Sequence, residues 1–243
     1  MTNTKSARIA GFTFLVYIVA GIVGMVLFRQ ATGGAGITEK LAGIAQHTFQ
    51  LRASILLGLL QAVCAIMLAV TLYRVTCGQD SDLAVLALTF RVGEGLLGAI
   101  ATRATVDLLW LGTAPGPRPL DPAVVATTGT YLLNGPNWNM GAVFFAMGST
   151  LFSYLLLRGR AIPIPLAWLG VVASVLLLVG LPLQLAGFLS GSVVSFMWIP
   201  MVAFEAPLGF WLLVKGVRTK NSPVSATANS RVKRPFGRLR PIG

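Results

Sequence analysis

The sequence predicts an all-α fold, a polytopic transmembrane bundle of six helices with both termini in the cytoplasm, and three observations predict it. Hydrophobic residues make up 55% of the 243 and charged residues only 11%, with a mean hydropathy of +0.78. A soluble domain of that composition lacks the polar side chains to cover its surface. The apolar residues also come in blocks long enough to cross a bilayer, which takes about 20 residues of helix. Finally, the basic residues fall unevenly on the segments between the blocks. Helices rather than a barrel follow, because such blocks satisfy their own backbone groups and none alternates as barrel strands do.

Six blocks carry the prediction: 9–28, 53–72, 83–111, 140–157, 165–188 and 193–214. The first follows Lys5 and Arg8, as a signal peptide would, but its apolar run exceeds a typical signal core, so it is read as a retained anchor. Between the first two blocks, Thr38 with Leu41, Ile44 and Ala45 predicts a short amphipathic helix lying at the interface. The segment 112–138 holds Pro115, Pro117, Pro119, Pro122 and Pro136 and is expected to form an irregular external loop.

Orientation comes from the positive-inside rule. With the N-terminus inside, Lys5, Arg8, Arg74, Arg158, Arg160, Lys215, Arg218 and Lys220 are cytoplasmic, together with Arg231, Lys233, Arg234, Arg238 and Arg240. Only Arg29, Lys40, Arg52 and Arg118 fall outside, while Arg91 and Arg103 lie within the third block. The net charge of +12 is therefore mainly a topology signal. It divides the chain into a membrane domain, 1–218, and a polar basic tail, 219–243, expected to be disordered. The tail reads first as a solvated reinforcement of topology. It also has the charge to bind anionic lipid headgroups or nucleic acid, at about 1 kcal/mol per basic residue near a membrane.

An ionisable side chain deep in a bilayer costs at least about 2.5 kcal/mol on insertion scales, so each one needs a partner or a purpose. The third block holds Arg91 with Glu94 on one face and Arg103 with Asp107 on another, the second pair near the outer end. Counted from the cytoplasmic ends at about 1.5 Å per residue, Glu94 lies roughly 16 Å deep, Glu205 in the sixth block roughly 15 Å and Arg91 about 12 Å. The two carboxylates are thus expected near the midplane at one height, within reach of Arg91, with Tyr17, Cys64 and Thr150 at similar depths. Tyr17, Arg91, Glu94 and Glu205 make up the candidate intramembrane polar site.

Pro200 and Pro207 bracket Glu205, which predicts freed carbonyls at Phe196 and Ala203. Carbonyls of this kind beside a midplane carboxylate occur in broken-helix transporters, and prolines are also common in membrane helices without that role. Two groups of three helices of opposite orientation would place Glu94 and Glu205 at equivalent positions. That is the placement of a 3+3 inverted arrangement, although the halves share no residue-level similarity.

Other candidates carry less. His47, the single histidine, falls in the external amphipathic segment and reads as a surface residue, and Lys215 reads as a snorkelling boundary lysine. Small residues four apart, Ala20 with Gly24 and Ala142 with Ala146, predict close helix packing. Cys64 and Cys77 make neither a disulfide framework nor, with one histidine, a metal or bis-histidine haem site, so no cofactor is implied.

The stretches Ala7-Arg8-Ile9-Ala10-Gly11 and Phe90-Arg91-Val92-Gly93-Glu94, the Phe144-Phe145 region, and Glu205 through Trp211-Leu212-Leu213-Val214-Lys215-Gly216 together resemble a bacterial membrane family, domain of unknown function 4386. The likeness spans about residues 7–218. It implies a six-helix bacterial inner-membrane protein and marks Arg91, Glu94 and Glu205 as positions within family motifs. It implies no activity.

Three readings of function stay open. The first is a transporter or small-ligand-binding membrane protein that uses Glu94 and Glu205 as a proton- or cation-binding pair with Arg91 as counter-ion. The second is an accessory or structural protein in which Arg91 staples the third helix to the sixth. A membrane enzyme is the third and the least supported, since the sequence offers no Ser/His/Asp set, metal cluster or phosphate loop.

Overall fold

The computed structural model describes residues 3–113, 121–134 and 140–217. Six helical spans in it are long and apolar enough to cross a membrane. Four are single helices matching the first four predicted blocks: α1 (Asn3–Ala31), α3 (Thr48–Thr76), α4 (Ser81–Thr113) and α6 (Met140–Arg158). The fifth is α7 (Ile164–Leu185), and the sixth is built from a short α8 (Ser192–Phe196) and α9 (Ile199–Val214). Two further helices, α2 (Ile37–Gln46) and α5 (Pro122–Asn134), lie in the connections. The described residues contain no strand.

The spans pack in chain order as a ring: α1 on α3, α3 on α4, α4 on α6, α6 on α7, α7 on α9, and α9 back on α1. Closure depends on small residues. A Cβ on Gly11 would run into the backbone of Gly209 and Leu213, so glycine lets α1 and α9 approach backbone to backbone. The start of α1 and the end of α9 share one end of the bundle, where Gly216 lies beside Thr4. Asp80 and Arg158 form an exposed ion pair of 3.0 Å there too. Asp80 also caps α4, its Oδ1 accepting the Leu83 N–H at 3.2 Å.

The main core lies towards this terminal end and is built from alanines, leucines and phenylalanines such as Ala10, Phe14, Leu72, Phe152, Phe204 and Leu208. A second, smaller core at the far end joins Ala31, Ile44, Leu51 and Leu108 with Leu41, Leu132 and Leu133. Through it α2, the predicted amphipathic helix, sets its apolar face on α1, α3 and α4.

Three expectations are corrected. The segment 112–138 is not irregular throughout, because 122–134 forms α5. Its prolines cluster at 115–119 and at 136, leaving 123–134 free of them, and Pro122 sits in the first turn, where its missing N–H costs nothing. Asp121 caps that turn, its Oδ1 accepting the Ala123 N–H at 2.8 Å. The sixth span is likewise not one continuous helix. It breaks at Met197 and Trp198, and Pro200 falls in the first turn of α9 rather than mid-helix. The fifth block ends at Leu185 instead of 188, where Gly187 (φ 81°) turns the chain and the Phe188 N–H bonds back to the Leu183 carbonyl. The basic tail, Arg118 and Pro136 lie outside the described residues.

Candidate functional site

Between the main core and the far end the ring forms a half-open cavity of about 480 Å³, at whose opening Ile22 and Met25 are exposed. Its walls come from one face each of α1, α3, α4, α6 and the α8–α9 break, and many wall positions are small: Gly21, Gly58, Gly95, Gly98, Ala101 and Gly141. Glycine and alanine at these positions hold the helices together without filling the space between them. Where the walls are large they are mostly apolar, with Ile22, Met25, Phe145, Trp198 and Met201, and Gln61 adds a neutral polar side chain whose amide donates to the Tyr17 carbonyl at 3.3 Å. Trp198 reaches this lining at the helix break beside Pro200 and packs on Phe145, ring centroids 5.9 Å apart.

The cavity floor is polar. Tyr17, Glu94 and Glu205 line it, from α1, α4 and α9. The Tyr17 hydroxyl donates to Glu94 Oε1 at 2.9 Å, and Arg91 Nη1 lies 2.8 Å from Glu94 Oε2. That second contact is an ion pair off hydrogen-bond alignment, and Arg91 Nε and Nη2 have no hydrogen-bond acceptor among the described residues. The guanidinium is instead sandwiched by rings, 4.9 Å from the Phe145 centroid and 5.9 Å from that of Tyr17, within cation–π range. Gly148 leaves room for the arginine stem, since a Cβ there would lie 2.7 Å from Arg91 Cγ. The chain therefore buries the guanidinium, 1% exposed, and pairs it with one carboxylate.

Glu205 differs. It is 6% exposed and makes no hydrogen bond or ion pair with the described residues. Its carboxyl belongs to two spaces: the cavity, shared with Glu94, and a void of about 10 Å³ on the core side, shared with Arg91, Ser149 and Ser153. The void is at the lower limit for one water. Phe14, Leu72, Phe152, Leu156, Phe204 and Leu208 close it towards the terminal end.

Of the four residues singled out from the sequence, Tyr17, Arg91 and Glu94 thus meet directly, and Glu205 faces them across the floor without a direct bond. Cys64 is buried and unbonded, and Thr150 spends its hydroxyl on the Ala146 carbonyl of its own helix. Arg103 and Asp107 pair at 3.0 Å on the exposed surface, and His47 and Lys215 are exposed at helix ends. Phe145, Gly148 and Trp198 shape the floor but had no charge to draw attention to them. The Phe144-Phe145 stretch was the one available sign, and Phe144 packs edge-on against Phe90 at 5.6 Å. Groups of three or more His, Cys, Asp or Glu able to hold a metal are absent among the described residues.

A ring of six apolar spans around a buried carboxylate–guanidinium centre defines a polytopic α-helical membrane bundle with a polar core. The chain belongs to the family described as domain of unknown function (DUF4386), whose model matches residues 9–216. No curated protein and no solved structure matches it.

Proposed function

We propose that this protein binds a small molecule in the cavity, as a transporter or ligand-binding protein of a bacterial inner membrane, with Tyr17, Arg91, Glu94 and Glu205 as its polar site. One observation carries the reading: Glu205 is a buried carboxyl without a direct partner, at the floor of a cavity it shares with Glu94. A buried charge left unpaired is costly, so a group of this kind is completed either by a proton or by a cationic visitor. The volume lies within the roughly 300–1,000 Å³ of small-molecule sites. The basic residues favour cytoplasmic termini, which makes the cavity face outward and the phenylalanine-rich core its inner seal. The tail residues Arg231 to Arg240 then lie beside the anionic inner leaflet.

Labelling tests this. In a variant lacking Cys64 and Cys77, a cysteine in place of Gly98, where a Cβ meets nothing within 4 Å, should react with a membrane-impermeant thiol reagent added outside. A cysteine in place of buried Phe204 should not. An unreactive Gly98→Cys would end the reading.

The second reading, a structural protein, is favoured by the Tyr17–Glu94 bond, which ties α1 to α4 and so acts as a staple. The staple reading needs no water in the cavity, and the same labelling separates the two.

A further inference from the structure

We infer that the cavity takes an amphipathic organic monocation, an ammonium group on an apolar body, with Glu205 as its counter-ion. The inference rests on the cavity reading above and adds the chemical class of the ligand. Three observations carry it.

The first is which charges face the cavity. Glu94 and Glu205 line it, and no lysine, arginine or histidine does. Arg91 lies behind the carboxylates, in contact with the core-side void and not with the cavity. An entering ligand therefore meets negative charge first.

The second is the balance of the centre. Arg91 pairs with Glu94, which also accepts the Tyr17 hydroxyl at Oε1, so the charge of that carboxylate is balanced from within the protein although its Oε2 makes no hydrogen bond. Glu205 has no such partner, so when it is ionised the set of two carboxylates and one guanidinium lacks one positive charge. A monovalent cation restores neutrality, whereas an anion would add a third negative charge beside the two carboxylates.

The third is the nature of the walls. A small inorganic ion needs a shell of oxygen ligands, and the described residues hold no cluster of metal-ligating side chains. Ile22, Met25, Met201 and the rings of Phe145 and Trp198 instead offer apolar surface and aromatic faces, which suit a hydrocarbon body and its cationic head.

The test uses the Gly98→Cys protein in membranes and asks which small molecules slow labelling by the impermeant reagent. The probes are 2-phenylethylammonium, its neutral counterpart 2-phenylethanol and the anion 3-phenylpropionate. The ammonium should protect at a concentration at least about tenfold below the alcohol, a preference of about 1.4 kcal/mol, and the anion should not protect. Glu205→Gln, which removes a buried charge and keeps the side-chain shape, should erase the preference, with thermal unfolding confirming that the variant is folded. Equal protection by alcohol and ammonium would overturn the inference and leave the cavity reading standing, as would labelling that none of the three slows. A preference that survives Glu205→Gln would remove Glu205 as counter-ion. If the cysteine at 98 does not label at all, both the cavity and the monocation fall.

Discussion

The phenol oxygen of Tyr17 lies 2.9 Å from Glu94 Oε1, so residues 77 positions apart in sequence join α1 to α4 at the cavity floor. Because α1 packs on α3 and α9 rather than against α4 along its length, this hydrogen bond spans the ring instead of reinforcing an existing helix contact. Tyr17→Phe keeps the ring over Arg91 and removes only the donor. A destabilisation between about 0.6 and 2 kcal/mol is expected, the range for hydrogen bonds inside membrane proteins and to charged acceptors. Unfolding in detergent checks it, and in a Glu94→Gln background the same change should cost measurably less. Equal costs in both backgrounds would mean that the bond is not formed.

Arg91 and Arg103 sit on the same helix and each pairs with a carboxylate within one turn, yet their burial is opposite. Arg91 is 1% exposed in its side chain and Arg103 is 79% exposed. Arg91→Met should therefore leave Glu94 as an uncompensated buried charge at a cost of about 3–5 kcal/mol, whereas Arg103→Met should cost no more than about 1 kcal/mol. Neutralising Glu94 and Glu205 to Gln along with Arg91→Met should recover part of the loss. Thermal melts of the three variants decide it, and a triple variant less stable than Arg91→Met would refute the charge argument.

Much of this was legible from residue order because lipid imposes a simple rule: a charge inside an apolar block stands out. Arg91, Glu94 and Glu205 stand out that way, and the structure has both carboxylates lining one cavity. The α5 helix was missed because proline count over 112–138 hid a proline-free stretch behind the Asp121 cap. The cavity itself was not legible. It arises from glycines and alanines, which in sequence read only as packing residues, and whether Gly98 faces a neighbour or a space depends on how five helices are arranged.

The ends of the bundle offer a topology test that does not depend on the site. Arg158 and Lys215 belong to the end shared by Thr4 and Gly216, and Lys40 on α2 to the other. With cytoplasmic termini, Lys40→Cys should be labelled by an impermeant reagent from outside, and Arg158→Cys and Lys215→Cys only after the membrane is permeabilised. The opposite pattern would invert the protein and turn the cavity to the cytoplasm.

Two glycines separate filling the cavity from breaking the bundle. A Cβ at Gly148 would meet Arg91 Cγ at 2.7 Å, Cδ at 3.0 Å and the Ala87 carbonyl at 3.3 Å. The buried guanidinium has little space to retreat into beyond the void of about 10 Å³, because Phe145 and Tyr17 pack against it and Glu94 holds its end. Gly148→Ala should therefore destabilise by about 1–3 kcal/mol, the usual cost of overpacking. At Gly98 the same added atom meets nothing within 4 Å, and the side chain projects into the cavity. Gly98→Leu should leave stability unchanged or raise it slightly, by up to about 1 kcal/mol from the better helix former, while occupying the space a ligand needs. The expected pair of outcomes is a weakened fold that still admits a thiol reagent to the floor, and a sound fold in which a cysteine replacing Val202, which lines the cavity one turn before Glu205, no longer labels. If Gly98→Leu lost stability while Gly148→Ala did not, the positions of wall and core around Arg91 would have to be exchanged.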